Sequence, residues 1–208
     1  MKTPDFAGIV PAQYTGKEIE AEAAVELRNE SEAKLFYEVA RDRLLHVNKW
    51  HEVAGIISAV FQLVGADGKE VTRSPQEGDF FKIDIPGPGS SAGDGYDWVC
   101  VEALKEVSND HMQCIGLRVR PSQNPCDNDG EIAHFYSKEA TSSFYVAREY
   151  HKVSAVIIDR NIKPNDYTDT LMDKIRDTAV GLSAIGMFSK IQWQKLAAGL
   201  VEKEEMNK

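Results

Sequence analysis

The alternation of residue types in residues 17–27 constrains the fold of this chain more than any other sequence feature. Alanine and glutamate dominate the segment, and both favour a helix by intrinsic propensity. A period of two, however, is typical of a strand with one buried and one solvated face. We let the pattern outweigh the propensity and predict a β-strand, whose buried face carries Ile19, Ala21, Ala23, Val25 and Leu27.

The next segment has the features of a helix with a defined start. Asn29 stands three residues before Glu32, which resembles a capping box. A helix is therefore expected to run to about Arg43, and residues 46–51 break its rhythm and turn the chain. The apolar residues at helical spacing predict a buried stripe of Leu35, Phe36, Val39, Ala40 and Leu44.

From Ile56 the chain reads as strands separated by turns, about six in number and antiparallel. Residues 56–64 are nearly continuously apolar, as in a strand covered on both faces. The turn chemistry of residues 66–69 predicts a hairpin. Further strands are expected at residues 81–85, in a short piece near 132–136, and in a pair formed by 142–148 and 153–160.

Residues 96–107 and 111–120 predict a hairpin around the loop 108–110. With that loop, one face of the hairpin is wholly apolar, whereas a slip of one residue would mix the faces. The predicted apolar face carries Val99, Val101, Ala103, Ile115, Leu117 and Val119. The opposite face carries Trp98, Cys100, Glu102, Met112, Cys114, Arg118 and Arg120, and its charges represent either an anion site or cross-strand ion pairs.

The two ends of the chain differ in character. Residues 1–16 contain two prolines and two glycines and predict an irregular N-terminal extension. From about Asp166 the apolar spacing predicts a long C-terminal helix, with Gly181 and Gly186 as points of kinking. Residues 17–208 are thus expected to form a single domain.

Composition restricts the partners and the compartment. The formal net charge of −9 argues against nucleic acid and against anionic lipid head groups. The longest weakly polar stretch, residues 179–188, is half of the roughly twenty residues that a membrane span needs. Three cysteines without CxxC spacing do not make a disulfide framework. We therefore expect a cytoplasmic protein without membrane insertion.

This order of elements is α+β: a curved antiparallel sheet that grips a long C-terminal helix, with short helices after the first strand. The chain resembles the START-like (SRPBCC, Bet v 1-like) superfamily. The resemblance lies in residues 19–42 (the opening strand and first helix), the Trp-containing segment 47–53, and the Gly-Asp-aromatic strand entry in 77–85. The loops at 86–95 and 122–130 are longer than a minimal member needs.

The resemblance implies a hydrophobic cavity between the sheet and the terminal helix. Such a cavity holds a small hydrophobic or amphipathic molecule, and it implies neither catalysis nor a cofactor. The same apolar residue types also build a filled core, so a structural module that self-associates as a homodimer through residues 187–201 is the alternative. The residues that we predict to line the cavity are Trp50, Phe61, Phe81, Val101, Leu117, Phe144, Ile175 and Leu182.

A hydrolase and a metal site are two other interpretations of the sequence. Residues 89–93 fit the pattern G-x-S-x-G, which would make Ser91 a hydrolase nucleophile with Asp127 or Asp129 and His134 or His151 as partners. The following residues do not begin a helix, as that motif requires, so a glycine-rich loop is favoured. Cys126, His134 and His151 are too scattered to predict a metal site, since zinc needs at least three converging ligands.

Overall fold

A curved, seven-stranded antiparallel sheet organises the protein, which is described here by a computed structural model. The structure describes residues 2–55, 59–85, 90–127, 130–165 and 179–203. The sheet order is β1-β7-β6-β5-β4-β3-β2, so the first and last strands pair with each other. The strands are β1 (Lys17–Glu26), β2 (Val60–Val64), β3 (Phe80–Asp84), β4 (Asp97–Ser108), β5 (Met112–Pro121), β6 (Thr141–Glu149) and β7 (Lys152–Ile162).

In the described ranges, three α-helices accompany the sheet: α1 (Glu30–Leu45), α2 (Trp50–Ala54) and the C-terminal α3 (Ala179–Leu200). The predicted helix-grip arrangement is confirmed. The predicted start of α1 is also correct, because the Asn29 side chain accepts a hydrogen bond from the Glu32 amide at 2.9 Å. None of the helices in the described ranges is long and apolar enough to cross a membrane.

The predicted strand near residues 132–136 is wrong. Only Tyr136 forms an isolated bridge, to Pro164. The backbone groups of this segment bond instead to separate loops and strand ends: the Ala133 carbonyl accepts from the Trp98 amide, and the Ala133 amide donates to the Ser122 carbonyl. A short apolar run therefore fills a gap between loops and joins no ladder.

The predicted buried stripe of α1 is wrong at two of its five positions, and the half-buried Phe36 packs against the core as expected. Ala40 and Leu44 are buried, but the side chain of Leu35 is 74% exposed and that of Val39 is also exposed. Two overlapping apolar stripes exist on this helix, and the one with alanines permits closer approach to the sheet. The stripe that packs inward consists of Ala33, Tyr37, Ala40, Leu44 and Leu45.

The predicted register of the β4–β5 hairpin holds only in part, because a β-bulge intervenes. Val101 pairs with Val119 as expected, but Ala103 then pairs with Arg118. A classic bulge puts two successive residues on the same side of a strand. Glu102 and Ala103 thus both face outward, and Leu104, paired with Leu117, takes the inward position that was predicted for Ala103.

Residues 2–16 form no regular element and pack on the outer face of the sheet. Ile9 is fully buried there, beside Ala7, Tyr145 and Val156. Gly116 makes room for it, since a Cβ at this position would lie 3.1 Å from the Ile9 side chain. The outer face is therefore a second apolar interface, with the N-terminal segment as its cover.

Helix α3 covers the inner face of the sheet. Gln194 donates to the Glu22 carbonyl on β1, and Arg43 of α1 donates to the Glu202 carbonyl just after the helix. At Gly199 the helix touches α2 so closely that a Cβ would lie 2.1 Å from the Val53 carbonyl oxygen. The C-terminal half of α3 is thereby fixed to β1, α1 and α2.

Candidate ligand-binding site

Six of the predicted cavity residues meet in one buried cluster on the inner face of the sheet. This inner apolar cluster is built by α2 and strands β2 to β6, and alternation along each strand explains it, since every second side chain points inward. The six residues are Trp50, Phe61, Phe81, Val101, Leu117 and Phe144. Their contact with a ligand stays a prediction.

The aromatic rings of this cluster contact one another. The Trp50 ring centroid lies 5.2 Å from that of Phe61, 5.8 Å from that of Phe81 and 4.8 Å from that of Phe144. Trp193 of α3 joins them, 5.2 Å from Phe144 in an edge-on arrangement. These spacings suit favourable aromatic pairs. The five rings therefore form one contiguous layer between the sheet and α3, which we call the aromatic floor.

The remaining two predicted residues do not join this description. Ile175 lies outside the described residues. Leu182 belongs to α3, whose described backbone begins at Ala179, and its side chain is outside the described part. The predicted start of the helix near Asp166 also falls outside the described ranges.

A buried carboxyl stands beside the aromatic floor. Asp159 follows Val153, Ala155 and Ile157 on the inward parity of β7, and only 2% of its surface is exposed. Its Oδ2 accepts a hydrogen bond from Trp193 Nε1 at 2.7 Å. Its Oδ1 has no hydrogen-bond partner among the described residues. A buried polar atom without a partner is costly, so this oxygen calls for an explanation.

The electrostatics of Asp159 are those of an acid without a counter-ion. Burial raises the pKa of Asp159 to about 6, and the neighbouring Ser142 and Trp193 side chains offset only part of that rise. The Ser142 hydroxyl lies close to this carboxyl without meeting hydrogen-bond geometry at Oδ1. Within the described residues no basic side chain contributes to the pKa, so a full negative charge forms here without compensation.

Two further polar groups lie next to Asp159. The Tyr136 hydroxyl and Ser189 Oγ of α3 are 3.3 Å apart and buried. Burial and the nearby Asp159 carboxylate raise the pKa of Tyr136, which keeps its hydroxyl protonated and able to donate. We call Asp159, Tyr136, Ser142, Ser189 and Trp193 the inner polar cluster.

A second buried acid, Asp97, faces the same side of the sheet. It begins β4 on the parity of Val99 and Val101, and it pairs with the inward-facing Ile83 of β3. Burial alone raises the pKa of Asp97 to about 7, because no hydrogen bond or charge from the described residues opposes it. The inner face therefore carries two acids at positions that alternation reserves for apolar side chains.

Both acids lie toward the same end of the sheet. Asp159 pairs with Ser142, Ser142 with Val119, and Val119 with Val101, four residues after Asp97. With strands about 4.8 Å apart and about 3.3 Å per residue, a flat sheet would separate the two acids by roughly 20 Å. This end, where β4 starts and β7 finishes, is the polar end of an otherwise apolar inner face.

Sequence reasoning missed both acids, although a signal was available. In 153–160 and 96–107 each acid shares the parity of the buried valines and isoleucines. A charged residue at an inward position is unusual, because unpaired Asp is rarely buried. That violation of the pattern could have marked Asp97 and Asp159 as candidates for a site.

The hydrolase reading of Ser91 gains no support. Ser91 begins a 3₁₀ turn, Ser91–Gly93, that leads into β4, whereas the motif needs a strand followed directly by a helix. His134 is buried, its Nδ1 accepts the Tyr136 amide at 2.9 Å, and burial lowers its pKa to about 3. Asp129 lies outside the described residues.

Neither a metal site nor an anion site emerges from the other charged residues. Within the described ranges, no three His, Cys, Asp or Glu side chains lie close enough together to share a metal ion. Glu102 binds Arg118 at 2.9 Å and also pairs with Arg120. These are the cross-strand ion pairs that the sequence offered as one of two readings, and they lie on the outer face.

A groove of about 360 Å³ lies on the outer side of the sheet, between the N-terminal segment and β1 and β7. Its wall includes Lys2, Asp5, Glu20, Tyr145 and Arg160. It is an open surface on the opposite face from the inner polar cluster, so it is distinct from the chamber that the sequence predicted.

Comparisons with known proteins return similar folds. A hypothetical protein from Helicobacter pylori has a TM-score of 0.48 at 10% identity, with 88% of each chain covered. Norcoclaurine synthase from Thalictrum flavum, in truncated form, has a TM-score of 0.34 at 9% identity, covering 93% of this chain and 100% of the other. A conserved protein from Geobacillus kaustophilus has a TM-score of 0.32 at 11% identity, covering 86% and 97%.

No family model matches the sequence, and no curated protein matches it either. Likenesses to solved structures at these scores carry no inference about ligand or activity. The site must therefore be interpreted from its own residues.

Proposed function

We propose that this protein binds a small hydrophobic or amphipathic molecule between the inner face of the sheet and helix α3, as a cytoplasmic member of the START-like superfamily. The observation that carries the proposal is the combination of an aromatic floor with polar groups whose hydrogen-bonding capacity is unused. Binding sites for small molecules are mostly apolar, with a few placed polar groups that fix orientation. Asp159 Oδ1 is such an unused group in an apolar surrounding.

The energetics of this arrangement favour an amphipathic molecule over a purely apolar one. Removal of an apolar tail from water supplies roughly 25 cal/mol per Å² buried. A polar head that satisfies Asp159 removes the cost of a buried, unpartnered oxygen, which is about 1 to 3 kcal/mol. A plain hydrocarbon gains the first contribution without the second.

The test is calorimetric titration of the full chain with dodecanol, a neutral amphiphile, below its solubility limit. Val101 lies in the same cross-strand row as Ser142 and Asp159, so Val101→Phe adds side-chain volume to the inner apolar cluster in that row. We expect saturable binding by the parent protein and at least about tenfold weaker binding by this variant.

Val107→Phe is the matched control, because Val107 lies on the same strand but packs on the outer face. Circular dichroism establishes that both variants are folded. Equal affinities of the two variants, or a lack of saturable binding by the parent protein, would disprove the proposed site.

Self-association through residues 187–201 is the second candidate. Its apolar residues Trp193, Leu196, Ala197 and Leu200 are buried within the chain, and Trp193 is therefore not a surface anchor. The exposed side chains of Met187 and Ile191, one helical turn apart, are the observation in its favour. Light scattering decides: this candidate requires a dimer that Ile191→Asp dissociates and that the neighbouring control Lys190→Asp leaves intact.

A further inference from the structure

Among the described residues, the buried charged groups at the polar end of the inner face are acids. Asp97 and Asp159 are both inward-facing and buried, and no basic side chain of the described residues pairs with either. Two arginines near this end pair with other acids: Arg160 with Glu18, and Arg120 with Glu102. Within the described ranges, the buried charged groups that a molecule would meet here are these two acids.

A buried carboxylate without a counter-ion is a strong determinant of what can bind. Removing one partner of a buried ion pair destabilises a protein strongly because it leaves a charge uncompensated. Asp159 resembles that condition, because the described groups that act on it, the indole of Trp193 and the hydroxyl of Ser142, are uncharged. A ligand that brings positive charge to Oδ1 would supply the missing partner.

From this geometry we infer that the ligand is an organic cation, an amine with an apolar tail, whose nitrogen donates to Asp159 Oδ1. This inference rests on the proposed function and specifies its ligand class. The tail would lie on the aromatic floor, where Trp193 contacts Phe144 and Phe61.

Access to Oδ1 depends on α3. Both the Trp193–Asp159 and the Tyr136–Ser189 hydrogen bonds link this helix to the rest of the protein. The C-terminal half of α3 is held at Gly199 and through Arg43, so displacement near residues 189–193 opens the inner polar cluster while the end of the helix stays docked.

The test compares three ligands with the same tail: dodecylamine, dodecanol and dodecanoate. Calorimetry at pH 8 keeps both acids largely ionised, since their pKa values are about 6 and 7. The ammonium of dodecylamine brings a full positive charge to the buried carboxylate, whereas the hydroxyl of dodecanol brings only a dipole, so we expect dodecylamine to bind at least about tenfold more tightly than dodecanol. We expect dodecanoate to bind more weakly than both.

Asp159→Asn is the diagnostic variant, because it keeps the shape and an acceptor for Trp193 but loses the charge. It should reduce the preference for dodecylamine over dodecanol to less than about threefold, because the carboxylate charge that distinguishes the two ligands is gone. Asp84→Asn is its control, since it removes the same charge from an exposed strand end and should keep the preference.

The outcomes separate the two proposals. Comparable binding of dodecylamine and dodecanol by the parent protein overturns the inference while the proposed function stands. A preference that persists in Asp159→Asn also overturns it. Failure of all three molecules to bind refutes the proposed function itself.

Discussion

Trp193 Nε1 donates a hydrogen bond to Asp159 Oδ2 at 2.7 Å, and this bond joins helix α3 to the last strand of the sheet. The donor is the indole N–H group of the aromatic floor, and the acceptor is the buried carboxyl that lies beside this floor. This bond contributes more to stability than a hydrogen bond between neutral groups, because its acceptor is ionised.

Trp193→Phe removes this bond, which among the described residues is the hydrogen bond to Asp159 that meets standard geometry. We expect the free energy of unfolding to fall by about 2 to 4 kcal/mol at pH 8, measured by urea titration, because a buried charge loses its partner. Trp98→Phe is the control, since Trp98 Nε1 donates at 3.3 Å to the neutral Gly93 carbonyl. Equal losses in the two variants would contradict the importance of the Asp159 charge.

Asp97 predicts a pH-dependent stability with a defined sign. Its pKa is about 7 in the folded protein and 3.8 when unperturbed, so the folded state binds more protons between these values. Stability from this group is therefore fully present below about pH 4 and is lost as the pH rises through 7. Asp97→Asn should exceed the parent in stability at pH 8 by on the order of 3 kcal/mol, and the two should converge near pH 4.

Thermal or urea unfolding of both proteins between pH 4 and pH 8 measures this difference. His134 acts in the opposite direction, because its pKa is lowered to about 3 and protonation in acid favours unfolding. It is present in both proteins, so it cancels in the comparison. A difference that does not vary with pH would refute the raised pKa of Asp97.

Arg148 is fully buried and holds the β6–β7 turn in place. It donates to Gln113 Oε1 at 2.7 Å and to the carbonyls of Tyr150 and Asp110 at 3.0 and 3.2 Å. Arg148→Met leaves these acceptors without a donor and should cost about 3 kcal/mol of unfolding free energy. Arg41→Met, which removes an ion pair with the half-exposed Glu106, should cost less than about 1 kcal/mol.

Asn161 fastens the N-terminal segment to the end of β7. Its Oδ1 accepts from the amides of Tyr14 and Thr15 at 2.8 and 3.1 Å, and its φ is 58°. Asn161→Gly removes these bonds without strain at positive φ. We expect faster hydrogen exchange at Tyr14 and Thr15, by about tenfold, whereas Asn161→Asp, which keeps the acceptor, should retain most of the protection.

The sequence was sufficient for the architecture because each strand of the sheet obeys alternation over most of its length. Residues 17–27 formed the critical case, and β1 confirms that the period outweighs alanine and glutamate propensity there. The bulge at Glu102 could not be predicted in this way. It depends on Arg118 and Arg120, which draw the Glu102 carboxylate to the outer face from another strand.

The candidate site was predictable only in its apolar half. Alternation grouped Phe81 and Val101 with apolar neighbours on one face of their strands, and residue type marked Phe144, because burial of such residues follows from their type. Asp159 escaped because its role depends on Trp193, which is distant in sequence and which helical spacing alone does not aim at a given strand. Polar contacts between remote elements are tertiary properties, and a one-dimensional pattern does not encode them.

The cover that residues 2–16 place over the outer face has a kinetic consequence. Ile9 packs against Gly116 on the outer face, and α3 packs on the inner face. Both faces are therefore covered in the middle of the sheet, and a small molecule cannot enter there. The rim where β4 starts and β7 finishes is the entry point that our proposal implies for a guest molecule. Its residence time would then be set by how often α3 detaches from Asp159 and Tyr136, however tightly the guest itself is held.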